Sequence, residues 1–478
     1  MKPQLCIGLA LSLLVVACGG EPAIPEGAPR GGESAIPEGA PRRIVLVTLD
    51  TQRTDNMSAY GYPIQTTPFF DSLAEQGVLF QRAYSHSATT KPSHASIFTS
   101  LYVMQHGVKS NALVLDEAFQ TLAEMLSDAG YRTGAFVSVD APLGGNLDQG
   151  FATWDQFQAT IEPGLPRQYR PAAETVNAAV AWLATTDPSE KIFLWVHVYD
   201  PHRPMQPPQE HLDRVNAMIR QLGVEAYDAM LTDRGIPTKR NSLYNEVIKY
   251  DAEVLYADTE ISRLFTRMQE AGLGDSAMWI ITGDHGQGLG AHNWFGHSRQ
   301  IYNAQLHVPL LFWFSGRTEG AVVADRIVEH VDLLPTIAEI VGTRPAQILP
   351  IQGRSLVPCL QGNRARDPKW FALSERSRYA DGHPRHQLLN NYEPGRRYAL
   401  QNLRFKYLLF TEGEDEFYDL EADPYEMNNL IESPEVAGDR DQMLGVLLEM
   451  LRRLPSGRQV EGVSPEDIGR LRALGYIQ

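Results

Sequence analysis

The sequence predicts an α/β fold, a mostly parallel sheet flanked by helices with a small C-terminal antiparallel-sheet subdomain. Three observations predict it. Ile44-Val45-Leu46-Val47-Thr48-Leu49, Ile192-Phe193-Leu194-Trp195-Val196-His197 and Met278-Trp279-Ile280-Ile281-Thr282 are continuous apolar runs, as in strands buried on both faces. Helical stretches alternate with these runs. From about Lys369 the texture changes to short strands and turns. With 478 residues, 43% apolar and 21% charged, the chain is long enough for a large core in two packed units.

Residues 1–18 read as an export signal. Lys2 supplies the positive start, and Leu5 to Ala17 is an apolar run of about 13 residues, where a bilayer span takes roughly 20. The run ends Val15-Val16-Ala17-Cys18-Gly19, similar to a bacterial lipobox with Cys18 as the lipidated residue; a plain cleaved signal is the alternative. Lipid on Cys18 would anchor the protein at the cell envelope without spanning it, and Gly19 suits an outer membrane. Residues 19–42 form a Pro/Gly-rich tether, with Ala-Ile-Pro-Glu-Gly-Ala-Pro-Arg at 23–30 repeated at 35–42. Cys6 leaves with the signal, so Cys18 and Cys359 offer no disulfide framework. The net charge of −16 argues against nucleic acid as a partner. An anionic substrate then has to be drawn in by local cations or a metal.

The catalytic domain is expected over 43–345. Its first strand ends in Asp50. A turn (Ala59-Tyr60-Gly61-Tyr62-Pro63), a helix from about Pro68 to Gln76 and Val78-Leu79-Phe80 follow. Further on come a helix over 119–129, the strand Thr133 to Ser138, a helix over 172–184 and the strand Ile192 to His197. A long amphipathic helix over 245–270 precedes Met278 to Thr282, which delivers Gly283-Asp284-His285-Gly286. Val308 to Trp313 and a helix over 333–341 close the domain. The C-terminal subdomain, 365–478, holds strands near Phe371, Tyr398, Lys406 and Glu416 and a helix over 434–454.

Thr90-Lys91-Pro92-Ser93-His94 sets a hydroxyl four residues before an imidazole, in what reads as the first turn of a helix. A hydroxyl there sits in a field that favours developing negative charge, where a nucleophile attacking an anionic ester is useful. Asp50 and Asp284 end separate buried strands, with His285 beside the second. In a parallel sheet those ends share an edge, so the three can meet Thr90. Gathered carboxylates need a cation among them, and a metal also acidifies a hydroxyl. Asp50, Thr90, Asp284 and His285 are therefore the candidate metal ligands. His197, His202, His292 and His297 follow in loops after strands, suited to hold an anion or protonate a leaving oxygen. Taken singly, each residue has an ordinary alternative: a helix cap for Thr90 or Asp50, a turn for Asp284-His285-Gly286, surface duty for each histidine.

At this point the chain resembles the sulfatase family of the alkaline phosphatase superfamily. Val45-Leu46-Val47-Thr48-Leu49-Asp50-Thr51 with Arg53 and Asp55, then Tyr60-Gly61-Tyr62, Thr67-Pro68 and Asp71, are similar to its N-terminal signature. Ala83-Tyr84-Ser85 through Ser100-Leu101-Tyr102 resemble its active-site segment. His197-Val198-Tyr199-Asp200-Pro201-His202, Gly283-Asp284-His285-Gly286, Val308-Pro309-Leu310 and Asp332-Leu333-Leu334-Pro335-Thr336 continue it in order. Tyr418 to Pro424 and Leu471 to Tyr476 extend it to the end. The resemblance implies an alkaline-phosphatase-like fold and a metal-dependent ester hydrolase.

The departures carry the chemistry. Sulfatases oxidise a Cys or Ser to formylglycine where this chain has Thr90, and threonine resembles neither substrate of that conversion. The family's Arg is His94 here, its second N-terminal Asp is Thr51, and the Asn after the later Asp is His285. The Gly-Lys-Trp-His substrate segment has no counterpart at Phe136-Val137-Ser138-Val139. An imidazole with carboxylates suits zinc or manganese better than calcium. A Thr nucleophile with Asp, Asp and His resembles the phosphoethanolamine and phosphoglycerol transferases and the phosphodiesterases of the superfamily, which pass through phosphothreonine.

The expectation is therefore a hydrolase of sulfate or phosphate esters, on a small molecule or glycan, working by attack of Thr90 without formylglycine. Phosphoryl chemistry is favoured chemically, and sulfuric ester hydrolysis is what the family implies. His94, His202 and His297 are the catalytic groups around the transferred group, and Lys91, His197 and His292 the substrate-binding ones. The alternative is a catalytically silent surface protein that binds sulfated or phosphorylated glycans.

Overall fold

A computed structural model describes residues 39–139, 143–158, 169–238, 242–317, 320–362, 370–377, 395–455 and 460–461. The expected leader with Cys18, residues 19–38 of the tether and the segment 471–476 lie outside them. The described residues of the expected catalytic domain and C-terminal subdomain belong to one unit.

The strands are β1 (Arg43–Leu49), β2 (Val78–Tyr84), β3 (Leu113–Val114), β4 (Arg132–Val137), β5 (Thr153–Gln156), β6 (Ile192–Val198) and β7 (Ala277–Gly283). They continue with β8 (His307–Phe314), β9 (Ala321–Val323), β10 (Val328–Glu329), β11 (Ala372–Arg376), β12 (Arg397–Gln401), β13 (Phe405–Phe410), β14 (Glu416–Asp419) and β15 (Val460–Glu461). Nine strands make one sheet in the order β10-β2-β8-β7-β1-β6-β4-β5, with β9 also on β2. Every pairing in it is parallel except those of β8, which is antiparallel to both β2 and β7.

The reason is visible in β1, where all seven residues are buried. Ile44 and Leu46 pack on one face of the sheet and Val45, Val47 and Leu49 on the other. The helices in chain order are α1 (Pro68–Ala74), α2 (Thr90–Thr99), α3 (Val103–His106), α4 (Leu122–Asp128), α5 (Ala172–Leu183), α6 (Gln209–Leu222), α7 (Val224–Asp233), α8 (Ser242–Glu270), α9 (Asn303–Leu306), α10 (Leu333–Val341), α11 (Val357–Leu360) and α12 (Ala437–Arg453). α2, α4 and α10 cover the first face. α1, α5 and α8 cover the second. Helices α6 and α7 are additions to what the sequence predicts; with Tyr244, Val247 and Tyr250 of α8 they build a separate apolar cluster. β2 runs four residues past the predicted Phe80, with a register shift that accommodates Gln81 and Arg82.

The C-terminal sheet is antiparallel in the order β11-β12-β13-β14. Leu400, Tyr407 and Phe417 on it pack with Met443 and Leu447 of α12, and Tyr102 and Val331 join the same cluster. Among the described residues no helix is long and apolar enough to cross a membrane.

Candidate active site

Strand register gathers the chemistry on one edge. Leu49 pairs with both Val198 and Gly283, so Asp50 and Asp284 leave the sheet side by side. β2 runs in the same direction as β7, because each is antiparallel to β8, and its continuation delivers Thr90 to that edge. Thr90 is the first residue of α2, and all ten residues of this helix are buried. Gly286 has no room for a side chain: a Cβ would stand 2.2 Å from the Ala304 carbonyl oxygen, so the turn after His285 packs directly on backbone.

Asp50, Asp284 and His285 are fully buried and each offers a ligand atom within 4.8 Å of the others. Asp284 Oδ1 accepts from the N–H of Thr51 at 3.1 Å and of His285 at 2.6 Å. Thr51 holds a left-handed backbone (φ 57°), unusual for a β-branched residue, and that turn brings its N–H to Asp284. Asp284 Oδ2 and both oxygens of Asp50 have no hydrogen-bond partner. His285 donates Nδ1–H to Gly286 O, leaving Nε2 bare at 3.4 Å from Thr90 Oγ1, 3.6 Å from Asp284 and 3.8 Å from Asp50.

Burial pushes the Asp50 carboxyl well above the usual carboxylate range, and burial with the neighbouring Asp50 does the same to Asp284. Two adjacent buried acids with orphaned oxygens are costly unless a cation lies among them. Three such oxygens, a bare imidazole nitrogen and a hydroxyl are a donor set that fits a divalent ion.

Beneath this cluster lies a layer that the motifs did not reveal. Thr48, two residues before Asp50, shares its face of the sheet. Its hydroxyl accepts from Trp195 Nε1 at 3.0 Å and lies 3.1 Å from His94 Nε2 and 2.9 Å from His197 Nδ1. His94 donates Nδ1–H to the Thr90 carbonyl at 2.8 Å, so the Thr48 hydrogen goes to His94 Nε2. His197 then donates to Thr48 through Nδ1, and its Nε2 stands 3.7 Å behind Asp50. The expectation that His94 meets the transferred group is corrected: both its nitrogens are engaged inside the protein. The i, i+4 spacing folds the ring back onto its own first turn. His197, expected to bind substrate, likewise backs Asp50. Burial pushes His197 down to about 3 and His94 well below its ordinary range, so both are neutral. Ser93 completes the support by donating to the Asp284 carbonyl at 2.7 Å.

His202 and His297 face each other with 2.9 Å between their Nε2 atoms. His202 Nδ1 hydrogen-bonds the Arg203 carbonyl, and His297 Nδ1 meets Ser298 Oγ at 2.7 Å and the Ala88 carbonyl at 3.2 Å. Both Nδ1 atoms therefore carry hydrogen, and the facing Nε2 pair accommodates one shared proton. Burial and the neighbouring His297 depress His202, and burial lowers His297 to about 4. At neutral pH the pair is therefore without that proton, and negative charge brought beside it would favour taking one up. His297 also lies beside His285, ring centroids 4.7 Å apart. A clasp ties the two loops: the Arg203 guanidinium lies 4.7 Å over the Phe295 ring. Nothing in the spacing of the motifs pointed to it.

The two remaining expected substrate groups are Lys91 and His292. Lys91 is buried; its N–H donates to Asn111 Oδ1, and a Cβ on Gly145 would stand 3.3 Å from its ammonium. His292 stacks on Tyr302 with centroids 3.6 Å apart, donates to the Tyr425 carbonyl at 3.0 Å and lines a different cavity. A left-handed backbone at His292 (φ 50°) turns the loop away from His297, only five positions later.

Comparison with known proteins gives the family. The Sulfatase family model matches residues 42–343, and that of the N-sulphoglucosamine sulphohydrolase C-terminal region matches 290–453. The chain is 26% identical to the uncharacterized sulfatase YidJ of Escherichia coli, over 86% of this chain and 87% of YidJ. It is 24% identical to an N-acetylglucosamine-6-O-sulfatase of Bacteroides thetaiotaomicron, over 85% of each chain. The crystal structure of the phosphonate monoester hydrolase of Agrobacterium radiobacter superimposes with a TM-score of 0.70 at 23% identity, covering 87% of this chain and 96% of that one. With the family model spanning most of its length, the chain belongs to the sulfatase family and is an ester-bond hydrolase.

Proposed function

We propose that this protein is a metal-dependent hydrolase of sulfate or phosphate esters that works through covalent attack by Thr90, without formylglycine. One observation carries the reading: three unpartnered buried carboxylate oxygens and His285 Nε2 converge on the Thr90 hydroxyl. A divalent cation on Asp50, Thr90, Asp284 and His285 would acidify that hydroxyl, and the mixed nitrogen and carboxylate set favours zinc or manganese over calcium.

The remaining chemistry belongs to the chain's own residues. Thr90 sits at the N-terminus of a ten-residue helix, whose dipole favours the charge that develops there. Thr90 Oγ1 gives up its proton to solvent and forms a bond to phosphorus or sulfur as the bond to the leaving oxygen breaks. The approaching anion draws a proton from solvent onto the His202–His297 pair, and that proton passes to the leaving oxygen. Water then hydrolyses the threonine ester. His94 and Thr48 fix the nucleophile from below. Phosphate esters suit this route, because phosphothreonine yields to attack at phosphorus. A sulfated threonine lacks the elimination route open to a formylglycine hydrate.

Similarity to an N-acetylglucosamine-6-O-sulfatase supports the sulfate-ester side of this reading. The same reading puts the enzyme in the bacterial cell envelope, anchored by lipid on Cys18, and Cys18→Ala should release it from the membrane fraction. The decisive experiment is intact-mass analysis after brief exposure to aryl phosphate diesters and aryl sulfates, with metal content measured on the same sample. A phosphate-sized adduct at Thr90 with zinc or manganese bound, absent in Thr90→Ala, is the expected result. Aryl sulfate turnover lost in Thr90→Ala would assign sulfate esters instead. No adduct and no turnover in folded, metal-loaded protein would overturn catalysis by Thr90.

A further inference from the structure

A second cavity, of about 300 Å³, opens between the turn after β1, the start of β8, the loop 291–304 and the C-terminal hairpin around Tyr425. None of the Thr90 cluster lines it. Its charged lining is three arginines, Arg53, Arg82 and Arg234, against a single acid, Asp55. Asp55 is already saturated: it accepts from Arg53 at 2.7 and 2.6 Å and from Arg234 Nε at 3.0 Å. The two histidines in the lining bring no charge. His307 donates Nε2–H to the Gln81 carbonyl and accepts from Thr54 through Nδ1, and burial lowers both it and His292 to about 4. The cavity is therefore cationic on a chain whose net charge is −16.

Arg234 supplies the pointed observation. It is only 2% exposed, its Nη2 donates to Asn56, and its Nη1 is buried with no hydrogen-bond partner. A buried guanidinium donor is rarely left without an acceptor. Sulfate, phosphate and carboxylate groups match its fork of donors. Small-molecule sites start at about this volume.

We propose that this cavity is a second binding site, for an oxyanion (sulfate, phosphate or carboxylate), with Arg234 and Arg82 as its donors. Two sources present that chemistry: a free inorganic anion, or a second anionic group on the substrate. Through His292 and Asn303 the site borders the loop that carries His297, so its occupant would brace that loop.

The test uses the full mature chain in its Thr90→Ala form, so that no ligand turns over. Crystals grown with selenate should show an anomalous selenium peak within hydrogen-bond reach of Arg234. Calorimetry with inorganic sulfate should weaken at least tenfold in Arg82→Gln and vanish in Arg234→Gln. Arg82→Gln removes a half-buried cation and leaves the Asp55 network intact, so it decides the matter if Arg234→Gln fails to fold. If sulfate alone does not bind, a sugar carrying two sulfates should bind more tightly than the same sugar with one, and Arg82→Gln should erase that difference, which identifies the substrate as the source. No selenium in the cavity, together with ligand affinities unchanged by Arg82→Gln, would overturn the site whatever reaction Thr90 performs.

Discussion

Replacing Asp50 with Asn removes one of two buried carboxylates while keeping its shape, and its consequences run in opposite directions with and without metal. The ligand atoms of Asp50, Asp284 and His285 lie within 4.8 Å of one another. At an effective dielectric of about 20, two ionised carboxylates at that limit repel by about 3.5 kcal/mol, the most that protonation of one of them can relieve. In metal-free protein Asp50→Asn relieves that repulsion, and at roughly 1 °C per kcal/mol for a chain of 478 residues its Tm should rise by up to about 3 °C. A cation at a hundred times its Kd stabilises the wild type by about 2.7 kcal/mol, or roughly 3 °C. The variant has lost a charged ligand and should gain less than about 1 °C. The assay is thermal unfolding by circular dichroism of both proteins, each with chelator and with zinc or manganese. Wild type insensitive to chelator, or metal-free Asp50→Asn no more stable than metal-free wild type, would refute the claim that the cluster is built for a cation.

Three further outcomes follow from particular contacts. Thr48→Val keeps the shape but strips partners from Trp195, His94 and His197, so it should cost about 1–3 kcal/mol in denaturant unfolding. Arg203→Ala opens the clasp on Phe295 and should lower kcat about tenfold while leaving KM within about twofold. Arg203→Lys, which keeps the cation over the ring, should restore part of it; an unchanged kcat in Arg203→Ala would mean the clasp does not hold the histidine pair. Glu375, 8% exposed, is raised by burial from 4.5 to about 7. Between those values the folded protein keeps a proton that the unfolded chain has lost, so stability falls as pH rises through that window and levels above it. Glu375→Gln should therefore gain Tm relative to wild type between pH 5 and pH 8, by up to about 3 kcal/mol equivalent. A flat difference would refute the raised value.

Much of the layout is set by local sequence. The apolar runs at 44–49, 192–197 and 278–282 became the central strands because a run without polar alternation is satisfied only between two layers. Helix α10 occupies the predicted 333–341, ended by Gly342 in the left-handed conformation that closes a helix. Strand direction then puts Asp50 and Asp284 on one edge, and Pro92 with small neighbours starts a helix at Thr90. Those statements depend on periodicity and chain direction, which sequence carries.

What sequence did not carry is which way a side chain faces once its loop is folded, and who waits there. Thr48 reads as one more strand residue, yet its partners lie 46, 147 and 149 positions away. His94 follows Thr90 in the motif but turns inward, because its i, i+4 neighbour on the same helix offers a carbonyl. His292 and His297 sit five positions apart and serve different cavities, because the intervening backbone passes through left-handed turns at His292 and Asn293. Local periodicity and chain direction set the sheet, its edge and the residue types brought to that edge. Which histidines face one another, which brace Thr90 and which leave for another site was settled by packing across the fold. Those choices rest on long-range contacts and loop dihedrals, and neither is written in local periodicity.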